Sequence, residues 1–170
     1  LDENTTIGAI TDFCRKNTPQ LFLEVVNSIE KGDAVSTPQS NLPQKPFRCY
    51  PRLPEYSKIE WNKSSAEIHA LVRASAKPYS GAYSYIKINE EIKKIFIWKT
   101  SLPAGFNDDI GEPGHIINND STSGFTKVLT GNGALLIEEV QYEDSQPLKP
   151  GNEWKSIRMH FGIDVEEEIM

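Results

Sequence analysis

Prolines place the strongest constraint on what this chain can fold into. Pro38, Pro43, Pro46, Pro51 and Pro54 recur through residues 33–55, separated by polar residues. Each proline removes a backbone donor and disfavours helix at the residue before it. Such a stretch suits neither a helix nor the inner strand of a sheet. It predicts an extended linker, with a domain boundary near residues 36–46.

Upstream, the apolar spacing is helical. Thr5 or Thr6 can cap a segment carrying Ile7, Ile10, Phe13 and Cys14. Asn17-Thr18-Pro19 predicts a second helix, with Thr18 as its N-cap and proline at its first position. Phe22, Val25, Val26 and Ile29 then share one face, and Gly32 suits the C-terminal cap. That face needs a partner, which the remaining residues need not supply.

Downstream, the pattern changes to one helix and several strands. Ser64-Ser65-Ala66-Glu67 has capping-box form and opens a helix with an Ile68, Leu71 and Val72 stripe, ending before Pro78. Ala82–Ile88 and Ile92–Thr100 alternate and are rich in β-branched and aromatic residues. Phe125–Thr130 and Ala134–Gln141 flank Gly131-Asn132-Gly133, which predicts a hairpin. Gly114–Asn118 reads as a short strand, and Ser156–Phe161 as a last strand or a helix end. The expected class is α+β, mainly β: N-terminal helices and a linker, then a small OB-like antiparallel barrel.

Composition narrows the function classes. The 170 residues carry a net charge of −6, and their Lys and Arg are scattered. This argues against a nucleic-acid grip driven by counterion release. No apolar run is long enough to span a bilayer. Leu1-Asp2-Glu3-Asn4 has no basic or apolar leader character, so a cytoplasmic location is expected. Cys14 and Cys49 form no CxxC pair and read as free thiols, and no zinc constellation occurs.

The residues alone offer little catalytic chemistry. His69 reads as a partly buried helix histidine, His115 as a turn residue and His160 as a strand position. Glu138 and Glu139 are adjacent, so strand alternation would send them to opposite faces and prevent a carboxylate dyad. The run Glu166–Glu168 reads as a solvated tail. No phosphate-binding glycine loop and no GxSxG is present.

A family resemblance adds to this reading. Arg52-Leu53-Pro54-Glu55-Tyr56-Ser57-Lys58-Ile59-Glu60-Trp61, Ile68-His69-Ala70-Leu71-Val72-Arg73-Ala74 and Pro78-Tyr79-Ser80-Gly81-Ala82-Tyr83 occur in order. Together they resemble the C-terminal domain of folate-dependent formyltransferases. Pro113–Ile116, Val128–Leu136, Val140-Gln141 and Ile157–Gly162 are similar to later family segments, and Pro19–Lys31 is similar to the last helix of the catalytic domain. Tyr56, Ser80 and His160 depart from the family pattern.

The resemblance implies four segments. Residues 1–35 would end a Rossmann-like catalytic domain, 36–50 would be linker, 51–165 the OB-like domain and 166–170 an acidic tail. The donor would be 10-formyltetrahydrofolate, held by the catalytic domain. That domain's His-x-Ser-Leu-Leu-Pro motif is absent here, so no catalytic residue and no metal ligand is assigned. Tyr50, Arg52, Arg73 and Tyr79 are the expected substrate-proximal residues. Each has a structural alternative, an ion pair for Arg73 and interdomain packing for the others. Trp61 and Trp98 are expected in the core. The motif Pro78–Tyr85 and the Ile68–Ala74 helix look close to aminoarabinose-type enzymes, which favours a nucleotide-linked amino sugar as acceptor. Methionyl-tRNA is the alternative acceptor, and a non-catalytic binding or dimerisation module is the third reading. A homodimer is left open.

Overall fold

A computed structural model describes residues 2–41, 43, 47–88, 90–105 and 108–163. Pro46 and the acidic tail 166–170 lie outside the described residues. The chain opens with one helix, α1, over Ile7–Lys31. Thr6 caps it by accepting from the Ala9 amide at 3.3 Å. The expected break at Thr18 does not occur, because Pro19 sits inside the continuous helix. A helical proline costs one backbone bond and a clash with the preceding turn. The helix nevertheless runs through, with the Asn17 side-chain amide donating to the Phe13 carbonyl one turn back, at 2.7 Å. Gly32 ends α1 at φ 75°, its amide bonded to the Ile29 carbonyl. No residue of α1 is buried. Phe13 and Phe22 are 68% and 67% exposed.

Among its described residues, the proline-rich stretch has short turns at Gln39–Asn41 and Pro54–Ser57. It leads into α2, Ser65–Ser75. The predicted capping box is present in both directions: Ser64 Oγ accepts from the Glu67 amide, and the Glu67 carboxylate accepts from the Ser64 amide. Among the described residues, five strands follow: β1 Ala82–Ile88, β2 Glu91–Ser101, β3 Ile116–Asn119, β4 Thr126–Leu129 and β5 Ala134–Tyr142. All pair antiparallel in the order β1-β2-β5-β4-β3. The β4–β5 hairpin closes at Leu129 opposite Ala134, with the Thr130 amide bonded to the Gly133 carbonyl at 2.9 Å. A single-turn α3, Pro150–Glu153, follows β5.

The sheet curls because its two edges are stitched together. Phe161 pairs with Ile86 of β1, and His160 pairs with His115 just before β3. The Phe161 amide donates to the Gly114 carbonyl at 2.9 Å, and the Gly162 amide to the Tyr85 carbonyl at 3.0 Å. The segment expected as a last strand or helix end is therefore a short extended staple. It covers both free edges and gives the sheet its barrel-like form. Ile86, Ile95, Ile97, Ile116, Leu135 and Ile137 point inward and are fully buried. Ile68 and Val72 of α2 cap one opening, each contributing about 1.5–3 kcal/mol by burial. Trp61 stacks on Phe161 at 4.9 Å and donates to Ser84 Oγ at 2.9 Å, so it is a core residue as expected.

Candidate functional site

A cleft of about 590 Å³ lies between α2, the middle of β2 and β5, and the lead-in to α1. Local irregularity builds it. Where β2 meets β5, the register shifts twice, so that Trp98 of β2 and Glu138 of β5 each have no cross-strand partner. A double bulge of this kind breaks alternation. Both Glu138 and Glu139 consequently line the cleft, which corrects the expectation that they face opposite ways. They still form no dyad: Lys99 Nζ lies 2.7 Å from Glu138. Burial pushes the Glu138 carboxyl up, but hydrogen bonds from Lys99 and Ser101 outweigh it and hold the group below the usual carboxylate range. The same bond raises Lys99.

His69 forms the floor. Its Nε2 lies 3.1 Å from the Glu3 carbonyl, which can only accept, so Nε2 carries the proton. Nδ1, 2.9 Å from Thr100 Oγ1, then accepts from that hydroxyl. Burial lowers the histidine below its ordinary value and keeps it neutral near pH 7. One turn on, Arg73 donates from Nη1 to the Thr5 carbonyl at 3.0 Å, while its buried Nε has no hydrogen-bond partner among the described residues. These two side chains tie residues 3–5 to α2.

The four expected substrate-proximal residues do not converge. Arg73 lines the cleft. Arg52 is exposed, and its Nη2 donates to Ser75 Oγ at 2.6 Å, which ties the linker's end to the end of α2. Tyr50 is 92% exposed, and Tyr79 is 54% exposed beyond α2. Trp98, expected in the core, is only half-buried and lines the cleft, with Nε1 donating to Gln141 at 2.8 Å. Lys77, which the sequence did not single out, lies above the Trp98 ring at 5.2 Å. Its visible signal was position alone, directly before Pro78 at the end of α2. His115 bonds the Ile157 carbonyl at 3.1 Å. Among the described residues, no group of three potential metal ligands occurs, and Cys14 and Cys49 are free and exposed. No helix among the described residues is long and apolar enough to cross a membrane.

Residues 53–158 match the model of the formyl transferase C-terminal domain. The chain belongs to this family. The methionyl-tRNA formyltransferase of Clostridium beijerinckii is 32% identical over 171 residues, covering 100% of this chain and 49% of its own length. That of Protochlamydia amoebophila is 33% identical over 130 residues, covering 75% and 37%. The chain thus spans about half the length of these curated relatives, or less. Among solved structures, a HypX variant from Aquifex aeolicus aligns with a TM-score of 0.60 and 18% identity, over 92% of this chain and 27% of its own. HypX in complex with tetrahydrofolic acid aligns at 0.54 and 21%, over 79% and 22%. At these identities the likeness shows the formyl transferase C-terminal fold alone. The curated relatives carry a methionyl-tRNA name, so the closeness to aminoarabinose-type enzymes read from Ile68–Ala74 and Pro78–Tyr85 gains no support.

Proposed function

We propose that this chain is the acceptor-side portion of a 10-formyltetrahydrofolate-dependent methionyl-tRNA formyltransferase. The observation that carries this reading is the alignment of a methionyl-tRNA formyltransferase along the whole chain at 32% identity. The family match over residues 53–158 supports one-carbon transfer. The folate donor would be bound by a catalytic domain, of which residues 1–35 form the end, with 36–50 as linker and 51–165 as the OB-like unit. The amino-sugar acceptor rests only on local motif likeness, and tRNA replaces it as the leading reading. A cytoplasmic location follows from that substrate.

The cleft's role in this reading is to position the parts of the enzyme. Arg73 and His69 hold residues 3–5, so they would set how α1 and the domain it ends approach the barrel. Arg73 is then a positioning residue, as is Arg52, which ties the end of the linker to Ser75 at the end of α2. The test is formyl transfer by the complete polypeptide, with 10-formyltetrahydrofolate as donor. Methionyl-tRNA and a nucleotide-linked amino sugar would be offered as competing acceptors. Formylation of the tRNA amine is expected. Transfer to the sugar amine alone would restore the other acceptor.

A further inference from the structure

The segment just ahead of α1 is a self-bonded turn seated on the barrel. The Asp2 carboxylate accepts from the Asn4 amide at 2.9 Å and from the Thr5 hydroxyl at 2.8 Å, and the Thr5 amide donates to the Asp2 carbonyl at 3.2 Å. These bonds fix the shape of the turn. Its carbonyls are then taken by α2, with His69 Nε2 donating to Glu3 at 3.1 Å and Arg73 Nη1 to Thr5 at 3.0 Å. The turn lies between the cleft described above and a second hollow of about 530 Å³ bordered by residues 101–105.

Gly8 closes the joint. A Cβ at this position would stand 2.5 Å from the Lys77 carbonyl oxygen, well inside contact distance. Glycine is what lets the first turn of α1 rest directly on the end of α2. Ile7, Gly8, Ile10 and Thr11 are half-buried, whereas residues 12–16 are exposed. The helix is therefore gripped at its start and projects from there. The proline-rich linker makes no comparable grip. Its described residues 33–41, 43 and 47–51 are all exposed, and it meets the barrel where Arg52 bonds Ser75. Prolines stiffen such a segment over a few residues, but an exposed single run of chain has nothing to hold its angle. Orientation matters because α1 is a long lever. Its 25 residues span about 37 Å, so a tilt of about 10° at the joint moves the far end by about 6 Å.

We infer that this joint, and not the linker, fixes where α1 and the domain it ends stand relative to the barrel, with Gly8, His69 and Arg73 as its positioning residues. A displacement of several ångströms would carry an acceptor amine held on the barrel side away from the formyl group. That consequence rests on the formyltransferase reading above, whereas the joint rests on its own contacts.

The test has a structural and a kinetic readout. In this chain, Cys49→Ser and Asn152→Cys allow one spin label on Cys14 of α1 and one on α3, at exposed positions. The distance distribution between the labels should be single and narrow. Inserting about ten Gly and Ser residues between Ser36 and Thr37 should leave it unchanged. Arg73→Gln should broaden it, and Gly8→Ala should broaden it or move its centre by about 5 Å or more. Alanine favours helix over glycine, so circular dichroism of Gly8→Ala should show no loss of helix, which separates a loosened joint from a frayed α1. In the complete polypeptide, Gly8→Ala should lower kcat about tenfold or more and leave KM for 10-formyltetrahydrofolate within about twofold, whereas the longer linker should change neither. An insertion that broadens the distance as much as Gly8→Ala does would overturn the inference. So would a Gly8→Ala distance identical to the parent's, or an unaltered kcat in that variant. If the labels behave as expected while the complete polypeptide formylates no methionyl-tRNA, the acceptor reading falls and the joint stands.

Discussion

At the residue scale, His69 is the most consequential titratable group. Burial is the first cause of its lowered pKa, opposed by its bond to the Glu3 carbonyl. The sign of the resulting pH dependence follows directly. The unfolded chain takes up a proton near the ordinary histidine value, about 6.5, while the folded chain resists it. Below that pH the unfolded state binds more protons, so stability falls as pH drops from about 7 and levels off only beneath the folded pKa. Urea denaturation at pH 7.5 and 5.5 should show this loss, and His69→Gln should remove most of the His69 share. An unchanged pH slope in the variant would contradict the assignment. The Lys99–Glu138 pair behaves differently. Lys99 is 68% exposed, so Lys99→Met should cost no more than about 1 kcal/mol despite the 2.7 Å contact.

Elements differ in how far their local residues determine them. The capping box of α2 was legible because all its determinants lie within four residues, Ser64 to Glu67. Ser64→Ala should therefore destabilise the fold by about 1 kcal/mol in a denaturant titration. The Gly131-Asn132-Gly133 hairpin was equally local in its turn chemistry. Its fit to the rest of the fold was not, since the Gly131 amide donates to the carbonyls of both Trp61 and Lys63. A Cβ at Gly131 would collide with the Asn62 carbonyl. Gly131→Ala should lower the urea midpoint by more than the Ser64 variant does. Three features escaped sequence reasoning because distant pairing creates them. They are the double bulge that brings Glu138 and Glu139 to one side, the staple at His160-Phe161, and the single turn of α3. The continuity of α1 through Pro19 escaped for the opposite reason. A proline after threonine is a strong local start signal, and here the intact helix on both sides overrides it. Pro19→Ala should increase the helicity of α1 in circular dichroism, with a local gain of up to about 3 kcal/mol.

On the scale of the whole molecule, the described residues form one filled core and one uncovered helix. The barrel-like sheet, α2 and the staple bury their apolar residues against one another. By contrast, α1 offers Phe13, Phe22 and Ile29 to solvent and has no fully buried residue. An apolar face of this kind seeks a partner. The isolated chain should therefore associate with rising concentration in sedimentation experiments, and Phe22→Glu should weaken that association without changing the sheet. Of the expected site, only Arg73 reaches the cleft. The sequence motifs near residues 50, 52 and 79 belong to the linker and the turn, and spacing alone does not reveal which side chains a fold brings together.

The central claim is that this chain forms the RNA-facing side of a formyltransferase. Equilibrium binding of methionyl-tRNA to this chain over a series of salt concentrations tests it most directly, with a nucleotide-linked amino sugar as the comparison ligand. The account predicts saturable tRNA binding that weakens as salt rises, and no comparable affinity for the sugar nucleotide. Saturable binding of the sugar nucleotide, with no affinity for tRNA even at low salt, would contradict it.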